Sequence, residues 1–442
     1  MSLAVGEVPS EAHLPFSVDV VIIGGGIIGA SAALYLAKRG VSVALCEKGH
    51  ISGEQSSRNW GWVRQGQRDL REIPLMIQSM RIWDRMNEEV EGETGFCRTG
   101  IMFAAGNEKE VAHNEAWLNR ARPYQIDARM VSGAELDRVM PGGARHWTAA
   151  LYCGSDGRAE PLMATTAIAS AAQRRGAVVL SHCAVRGVEL SGGRVSGVVT
   201  ERGRVGCTAA VVAAGAWSRR FLKDLGLSLP QLKVRGSVMR TSPVDGGPEP
   251  ALWSGEFAFR RRPDGGYNVA NGQANVVSIV PDGFLFFTKF LPTLVSEFKS
   301  LRLRIDGRFT QEWSESRPVP LDQISPYEKT RVLDPEPDKV YLREAFHRLV
   351  KAFPAFSSCR VVQEWAGLMD VTPDAIPVIS SVENIPGLTI ATGFSGHGFG
   401  IGPAAGHLVA DLVAGTQPIV DPTEFRFSRF NGSACGRPIT RL

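Results

Sequence analysis

The first apolar stretch of the chain changes its period within a few residues. Residues 19–23 form a continuous run rich in β-branched side chains, which is typical of a strand buried on both faces. A glycine-rich turn follows, and residues 30–39 then take the spacing of an amphipathic helix. A second apolar run over 41–46 ends on Glu47. This order of strand, turn, helix and strand predicts a βαβ unit with parallel strands.

The turn inside this unit has the chemistry of a phosphate-binding loop. Gly24, Gly26 and Gly29 form the pattern Gly-x-Gly-x-x-Gly. Gly24 permits a tight turn, Gly26 lets the backbone approach a pyrophosphate, and Gly29 lets the helix pack closely on the strand. Free N–H groups at the helix start attract phosphate, and the carboxylate of Glu47 can accept ribose hydroxyls. A chance glycine-rich turn would lack this context, so the unit predicts a bound dinucleotide.

Strand and helix patterns of the same kind recur in two later parts of the chain. The later patterns are a helix over 162–175, a strand over 177–180, alternating segments over 185–207, apolar runs over 210–218 and 388–393, and a helix over 403–413. The parts between them are richer in Trp, Phe and Arg and contain short alternating runs such as 265–270, which predict antiparallel strands. Helices are expected there over 73–89 and 341–353.

The predicted fold class is α/β with an α+β substrate part, in which a Rossmann-like domain is interleaved with an antiparallel-sheet domain. The predicted segments are a flexible N-terminus over 1–16, a dinucleotide-binding domain over 17–60, 161–230 and 366–430, a substrate domain over 61–160 and 231–365, and a C-terminal tail over 431–442. A chain of 442 residues is too long for one ordinary core, which agrees with two packed domains.

Charge and cysteine content narrow the function classes. The net charge of +4 is small for this length and does not favour a nucleic-acid partner. The 7 cysteines are scattered without a Cys-x-x-Cys pair, which favours a reducing compartment and no structural metal. No signal peptide or membrane-spanning run is evident, so a cytoplasmic location is expected. The apolar run 283–291 is interpreted as a strand feeding a helix; contact with a partner subunit, or with the inner face of the membrane, is the alternative.

Further motifs carry a resemblance to a known family. They are the loop 53–61, the run 211–218, the segment 365–374 with Pro377, and the turn 393–398 that leads to Pro403 and Gly406. With the first glycine motif, they make residues 17–430 resemble the D-amino-acid oxidase-like FAD-dependent oxidoreductases. That family includes D-amino-acid dehydrogenases, glycine and sarcosine oxidases, and subunits that oxidise pipecolate or opines. An enzyme that binds only NAD would need the first motif but not the others.

The resemblance implies a set of FAD contacts spread over all these motifs. The implied cofactor-binding residues are Gly24, Gly26, Ile27, Ile28, Gly29, Glu47, Lys48, Ser56, Ser57, Arg58, Asn59, Trp60, Gly61, Val185, Ala214, Gly215, Trp217, Gly367, Gly393, Gly396, His397, Gly398 and Phe399. His397 is interpreted as a packing or hydrogen-bonding residue, with a catalytic role as the alternative. The glycine-rich turn before the last helix, with Pro403 expected in its first turn, presents N–H groups that would stabilise reduced flavin. Covalent relatives carry a Cys at the position of Gly367 or a His at that of Gly61, so non-covalent FAD is expected.

The substrate site departs from the family pattern. Many relatives that oxidise amino acids place an Arg after Gly-Leu, where it binds the substrate carboxylate. This chain has Met369 there, followed by Asp370. Either another arginine replaces it, with Arg64 the first candidate and Arg235 and 260–262 next, or the substrate is not a simple α-amino acid.

The family implies oxidation of a C–N bond by hydride transfer to flavin N5, giving an imine that hydrolyses. The amine must be neutral for this step, and a buried aromatic site lowers its pKa by desolvation. The expected substrate-site residues are Arg64, Tyr267, Trp365 and Met369, with Trp60 and Trp62 as further aromatic candidates. D-amino acids, N-alkyl amino acids, pipecolate and opine-like amines all remain candidate substrates. Three other functions stay open: a flavoprotein subunit of an electron-transfer assembly, a nicotinamide-dependent dehydrogenase, and a redox-responsive regulator.

Overall fold

The structure is a computed structural model that describes residues 8–144, 147–273, 275–296 and 301–431. Residues 1–7 of the predicted flexible N-terminus and 432–442 of the predicted tail lie outside this part. The described remainder of the N-terminus is held in place, because Glu11 N donates to Val179 O at 2.9 Å and Ser181 N donates to Ser10 Oγ at 3.1 Å. The flexible N-terminus over 1–16 stays a prediction from the sequence.

Strands account for much of the described chain. They are β1 Val20–Ile23, β2 Val43–Cys46, β3 Trp62–Val63, β4 Cys97–Arg98, β5 Ile101–Ala105, β6 Ala128–Val131, β7 Ala149–Cys153, β8 Gly157–Arg158, β9 Val178–Leu180, β10 Val185–Ser191, β11 Arg194–Thr200, β12 Gly203–Gly206, β13 Ala209–Val212, β14 Leu232–Thr241, β15 Ala251–Trp253, β16 Ala258–Arg261, β17 Tyr267–Ala270, β18 Asn275–Ser278, β19 Leu301–Arg304, β20 Val361–Val371, β21 Val378–Ser381 and β22 Leu388–Thr392.

Helices connect and cover these strands. They are α1 Ile27–Ala37, α2 Gln55–Arg58, α3 Ile73–Trp83, α4 Met86–Glu89, α5 Glu108–Ala121, α6 Gly133–Val139, α7 Pro161–Arg174, α8 Ser218–Asp224, α9 Pro281–Leu285, α10 Phe287–Ser296, α11 Arg308–Glu315, α12 Pro326–Lys329, α13 Lys339–Ala352 and α14 Gly398–Ala414. In the described ranges, no helix combines the length and apolar character needed to cross a membrane.

The glycine fingerprint belongs to a six-stranded sheet with the order β21-β22-β13-β1-β2-β9. All neighbours are parallel except β21 and β22. Side chains alternate along β1: Val20 and Ile22 pack under α1, α7 and α14, while Val21 and Ile23 face the small sheet β10-β11-β12. The parallel sheet is thus covered on both faces, as its apolar strands require.

The second large sheet has ten strands, in the order β19-β18-β14-β17-β16-β15-β5-β7-β6, with β20 paired to β14. Most of its pairs are antiparallel, although β15 with β5 and β18 with β19 are parallel. Helix α13 packs on one face. The predicted fold class is confirmed: a parallel nucleotide-binding sheet is joined to a mainly antiparallel one. The domain boundaries remain a prediction from the sequence.

The last helix begins earlier than its pattern predicts. Pro403 was expected in the first turn, but α14 begins at Gly398 and contains Pro403 in its interior. Isolated glycines and an internal proline disfavour helix. Packing decides here, because the Gly400 carbonyl accepts hydrogen bonds from Ser79 Oγ and Trp83 Nε1, both at 2.7 Å. The helix expected over 73–89 is likewise split, into α3 and α4.

The apolar run 283–291 differs from its expected structure. It lies in α9 and α10 rather than in a strand, and Phe284 and Leu285 are 67% and 62% exposed. Leu303, Ile305, Phe309 and Trp313 in the following segment are exposed as well. Phe309 lies 6.4 Å from Phe284 and 6.3 Å from Trp313, between ring centroids. We call Phe284, Leu285, Phe287, Leu291, Leu303, Ile305, Phe309 and Trp313 the apolar patch.

Close contact between α1 and α14 depends on Gly406. A Cβ at this position would lie 2.3 Å from Ser31 Cβ and 2.6 Å from Ala32 N. We expect Gly406→Ala to lower the free energy of unfolding by about 1–2 kcal/mol, because overpacking outweighs the helix propensity gained. Gly283→Ala is the control, since a Cβ there meets nothing within 4 Å. Urea unfolding of both variants with FAD bound checks this, and equal midpoints would contradict it.

Candidate functional site

A large cavity lies where the carboxyl ends of the parallel strands face the β14–β20 ladder. Gly24, Glu47, Gly215, Gly367 and Gly398 all border it, although they are far apart in the sequence. The loops after β1 and β2 form one end. The first strands of the antiparallel sheet and helix α5 form the other. Ligands of open α/β sheets bind at this edge.

The turn after β1 has the geometry expected of a phosphate loop. Gly24 has φ +112°, and a Cβ there would lie 2.4 Å from Ala213 O. A Cβ on Gly29 would lie 2.0 Å from Gly24 O, so strand and helix meet backbone to backbone. Ile27 N, at the start of α1, donates to Ser56 Oγ at 2.9 Å. The helix start therefore faces the loop that follows β2.

Glu47 is held at the end of β2 by backbone donors. Its Oε2 accepts from Gly25 N and its Oε1 from Gly49 N, both at 2.7 Å. Burial raises the pKa of this carboxyl, while Lys48 and the two N–H groups act in the opposite direction. The side chain is thus fixed beside the turn, with acceptor capacity left for ribose hydroxyls.

The loop 53–61 ties the separate motifs together. Glu54 Oε1 accepts hydrogen bonds from Lys48 Nζ at 2.6 Å and from Trp217 Nε1 at 3.1 Å. The amide of Gln55 accepts from Ala216 N at 3.1 Å and donates to Asp370 Oδ1 at 2.8 Å. Motifs that the sequence separates by more than a hundred residues therefore meet at one wall of the cavity.

Arg58 borders the cavity, but its charge is already paired with a carboxylate of the protein. Its guanidinium pairs with Asp334 at 2.5 Å and donates to Ala366 O at 3.1 Å. A Cβ on Gly367 would lie 3.0 Å from Arg58 Cβ, so the glycine lets this loop lie against β20. Arg58 acts here as a tie between loop and strand.

The start of α14 is set by a buried carboxylate. Asp370 Oδ2 accepts from Gly393 N at 2.7 Å and Thr392 Oγ1 at 3.1 Å. Burial raises its pKa, and the hydrogen bonds from Gln55, Gly393 and Thr392 act against that rise. Gly393 has φ +75°, so the turn reverses there before the helix begins. In the sequence, Asp370 is distinguished only as the residue after Met369. Its partners Gln55, Thr392 and Gly393 are distant in the chain, so no local pattern identifies its role.

His397 is the N-cap residue of α14 and borders the cavity. Burial lowers the pKa of its imidazole well below the usual value, and Arg64 and Arg68 add to this shift. Its Nδ1 is buried with no hydrogen-bond partner among the described residues. The ring is therefore neutral at physiological pH and cannot serve there as an acid.

Arg64 is the guanidinium on the cavity wall that has no carboxylate partner in the described part of the chain. It donates to Gly66 O at 2.6 Å and lies 5.9 Å from the centroid of the Phe103 ring. Burial lowers its pKa to about 10, so it stays charged at neutral pH. The neighbouring Arg68 is instead paired with buried Glu72 at 3.1 Å.

Two of the expected substrate residues are elsewhere. Tyr267 is fully buried, donates from its hydroxyl to Pro248 O at 2.8 Å, and packs 4.7 Å from the ring of Phe356. Trp365 donates from Nε1 to Arg58 O at 3.1 Å and borders a separate surface groove. Neither residue borders the cavity, and their place at the substrate site stays a prediction from the sequence.

Some of the other candidate residues border the cavity and some do not. Met369, Trp60 and Trp62 border the cavity, and the two indoles lie 5.1 Å apart between centroids. Arg235 and the cluster 260–262 do not border it; Arg260 forms a buried ion pair with Glu160. Four of the cofactor candidates do not border the cavity: Gly29, Ser57, Gly61 and Gly393. The cofactor candidates that do border it are Gly24, Gly26, Ile27, Ile28, Glu47, Lys48, Ser56, Arg58, Asn59, Trp60, Val185, Ala214, Gly215, Trp217, Gly367, Gly396, His397, Gly398 and Phe399.

The sequence reasoning missed one side of the cavity. Its wall includes Gln67, Phe103, Glu110, Asn114, Trp253 and Asn271. Asn114 Oδ1 accepts from Gln67 Nε2 at 2.6 Å, and its Nδ2 donates to Phe103 O at 3.0 Å. They lie on α5, on the strands β5 and β15, and in the segments after β3 and β17, which carry no short motif that could have identified them.

The residues present fit FAD. The glycine cradle leaves no room for side chains, the start of α1 faces it, and Glu47 is fixed beside it. A second helix start, that of α14, lies at the same cavity and supplies N–H groups for the flavin end.

Comparison with known proteins agrees with this geometry. The family model described as FAD dependent oxidoreductase (DAO) matches residues 19–412. Glycine oxidase from Pseudomonas aeruginosa is 27% identical over 416 residues, which cover 92% of this chain and 97% of the relative. Mitochondrial sarcosine dehydrogenase from Homo sapiens is 24% identical over 96% of this chain, which spans 43% of that relative. The structure of L-amino acid deaminase from Proteus myxofaciens in complex with anthranilate has a TM-score of 0.93 and 35% identity, covering 97% of this chain and 96% of that one.

Glu47 offers a direct test of the cofactor site. We expect Glu47→Gln to raise the Kd for FAD about 30-fold, about 2 kcal/mol, because the amide cannot accept from both backbone N–H groups. Flavin fluorescence during titration of the apoprotein measures the Kd. Glu91→Gln, at an exposed site, is the matched control. An unchanged Kd in Glu47→Gln would contradict the assignment.

Proposed function

Because the chain belongs to the DAO family of FAD-dependent oxidoreductases, we propose that it oxidises the C–N bond of an amino acid whose carboxylate is bound by Arg64. The donors are CH–NH2 or CH–NH groups, and the imine product hydrolyses. The observation that carries the proposal is the charged guanidinium of Arg64 on the cavity wall without a carboxylate partner in the described residues. A bidentate pair with a substrate carboxylate would satisfy it.

The position of Arg64 explains how a chain with Met369 can do this. The arginine is carried by the segment after β3, not by β20. Asp156 holds this segment, because its carboxylate accepts from Gln65 N at 2.7 Å and from Gly66 N at 3.0 Å. Met369 then contributes an apolar wall, and a Cβ on Gly396 would lie 2.7 Å from its Sδ.

The cavity also prepares the amine. Trp60, Trp62 and Phe103 exclude water, which lowers the pKa of a bound amine and keeps its lone pair available. Bound FAD supplies the hydride acceptor. The neutral imidazole of His397 and the N-terminus of α14 place no full negative charge beside the amine. The N–H groups of that helix start favour the negative charge that develops on the acceptor side.

The relatives support a substrate that bears a carboxylate. By name, the glycine oxidase and the L-amino acid deaminase act on amino acids. The sarcosine dehydrogenase acts, by name, on an N-methyl amino acid. Chirality and chain length of the substrate are therefore what a panel has to decide.

Anaerobic bleaching of the bound flavin tests the proposal. The panel contains L- and D-amino acids, pipecolate, proline, N-methyl amino acids, opines and simple amines. We expect compounds with a carboxylate to bleach the flavin and simple amines to fail. If only simple amines reduce it, the proposal is wrong.

Arg64→Ala should raise KM about 100-fold for the best substrate, since loss of a buried charge pair costs about 2–3 kcal/mol. Arg64→Lys should recover only part of this, because it cannot bind both oxygens in a fork. Arg81→Ala, on an exposed helix face, is the control. An unchanged KM in Arg64→Ala would exclude this residue as the anchor.

A second candidate function is that of a flavoprotein subunit whose electrons pass to a partner or to a membrane-bound acceptor. The exposed apolar patch favours it, because the Phe309 ring pairs with those of Phe284 and Trp313 while all three side chains remain exposed. Contact of this patch with the inner face of a membrane would give a peripheral location.

For this second candidate, the purified chain should turn over slowly with oxygen and faster with an artificial dye. The double variant Leu285→Asp, Trp313→Asp should keep the dye activity but lose co-sedimentation with phospholipid vesicles or with a partner on size exclusion. Leu190→Asp, at an exposed leucine outside the patch, is the control. Equal rates with oxygen and dye, with no association, would remove this candidate.

A further inference from the structure

We infer that Glu110 selects amino acids with a positively charged side chain. The inference rests on the proposed function, because it takes Arg64 as the partner of the substrate carboxylate. Glu110 lies on α5 and borders the same cavity as Arg64.

The charges around the cavity lead to this residue. Most of them are already satisfied within the protein: Lys48 by Glu54, Arg58 by Asp334, Arg68 by Glu72, Glu47 by backbone N–H groups, and Asp370 by Gln55, Thr392 and Gly393. Among the described residues, Arg64 then has no carboxylate partner, while Glu110 has no cationic partner and accepts from a single backbone donor, Gly106 N. A ligand with a negative group and a distant positive group would complement both.

Phe103 contacts both the Arg64 guanidinium and helix α5, which carries Glu110. Arg64 lies over the Phe103 ring at 5.9 Å, and the Phe103 carbonyl accepts from Asn114 Nδ2 at 3.0 Å. Glu110 precedes Asn114 by four residues, so the two share one face of α5, a single turn apart. His113 borders the cavity on this face as well. Glu110 and Arg64 thus reach one cavity from different elements, helix α5 and the segment after β3.

Apolar side chains border the same cavity as the two charges. Phe103, Ala104 and Trp253 border the cavity in this region. A side chain of three or four methylene groups can pack on such surface while its charged end reaches a carboxylate. The aromatic rings add attraction for a cation. Amino acids of the lysine, ornithine and arginine class have this shape.

The hydrogen bonds that Glu110 makes at the start of α5 do not require its negative charge. Its Oε2 accepts from Gly106 N at 2.8 Å, and its own N–H donates to the capping residue Asn107 at 3.1 Å. A glutamine can make the same bonds, since its amide oxygen accepts and its backbone is unchanged. Glu110→Gln therefore removes the charge while keeping the start of α5.

Substrate pairs that differ in charge but not in shape test the inference. They are lysine with 2-aminoheptanoate, and arginine with citrulline, each with the enantiomer that bleaches the flavin. For the wild type we expect kcat/KM to favour the cationic member at least about tenfold, the effect of about 1.4 kcal/mol. Glu110→Gln should abolish the preference, and Glu110→Lys should turn it towards glutamate. Glu108→Gln, exposed on the same helix, should behave as wild type.

A binding measurement separates selection from chemistry. 6-Aminohexanoate is lysine without its α-amine, and heptanoate is the carboxylate of equal length with a methyl group in place of the ammonium group. Perturbation of the flavin absorption should give a lower Kd for 6-aminohexanoate in the wild type and equal values in Glu110→Gln. If the wild type treats both members of each pair alike, or if Glu110→Gln keeps the preference, the inference is wrong while amino-acid oxidation stands. If no compound with a carboxylate bleaches the flavin, the proposed function itself fails.

Discussion

The buried carboxylate of Asp370 is the interaction on which the cavity depends. It lies at the end of β20 and receives Gln55 from the loop after β2 and Gly393 and Thr392 from the turn before α14. Leaving such donors unpaired inside the protein would cost several kcal/mol in all, at about 1–3 kcal/mol for each group. One side chain on β20 thus positions both the loop after β2 and the turn before α14.

This arrangement also explains the use of charge around the site. Ionisable groups that hold the wall together are paired with each other or with backbone N–H groups, so they have a structural task. In the described residues, Arg64 has no carboxylate partner and Glu110 no cationic partner, so both charges can meet a ligand. Burial strengthens both kinds of interaction, because the effective dielectric constant is lower than in water. The proposed zwitterionic substrate would therefore be bound by the same wall that carries the aromatic side chains.

Most of the cofactor-binding residues predicted from the sequence border the cavity, but only Arg64 and Met369 of the four predicted substrate-site residues do so. The glycine turn and Glu47 were identified because local backbone geometry demands these residue types at that spacing. Tyr267 and Trp365 do not border the cavity. Their sequence pattern could not decide this, because an aromatic residue in a strand has the same pattern whether it faces a core or a ligand. Glu110 was missed because a carboxylate at the third position of a helix is ordinary capping chemistry.

By itself the sequence determined the βαβ fingerprint, the interleaved α/β architecture, the family resemblance and the absence of the usual arginine at Met369. These are local properties, set by residue spacing and backbone requirements. Tertiary structure decided that α14 begins at Gly398, that Asp370 joins distant motifs, and that Arg64 and Glu110 border one cavity. Each of these depends on contacts between segments far apart in the chain, where packing outweighs local propensity.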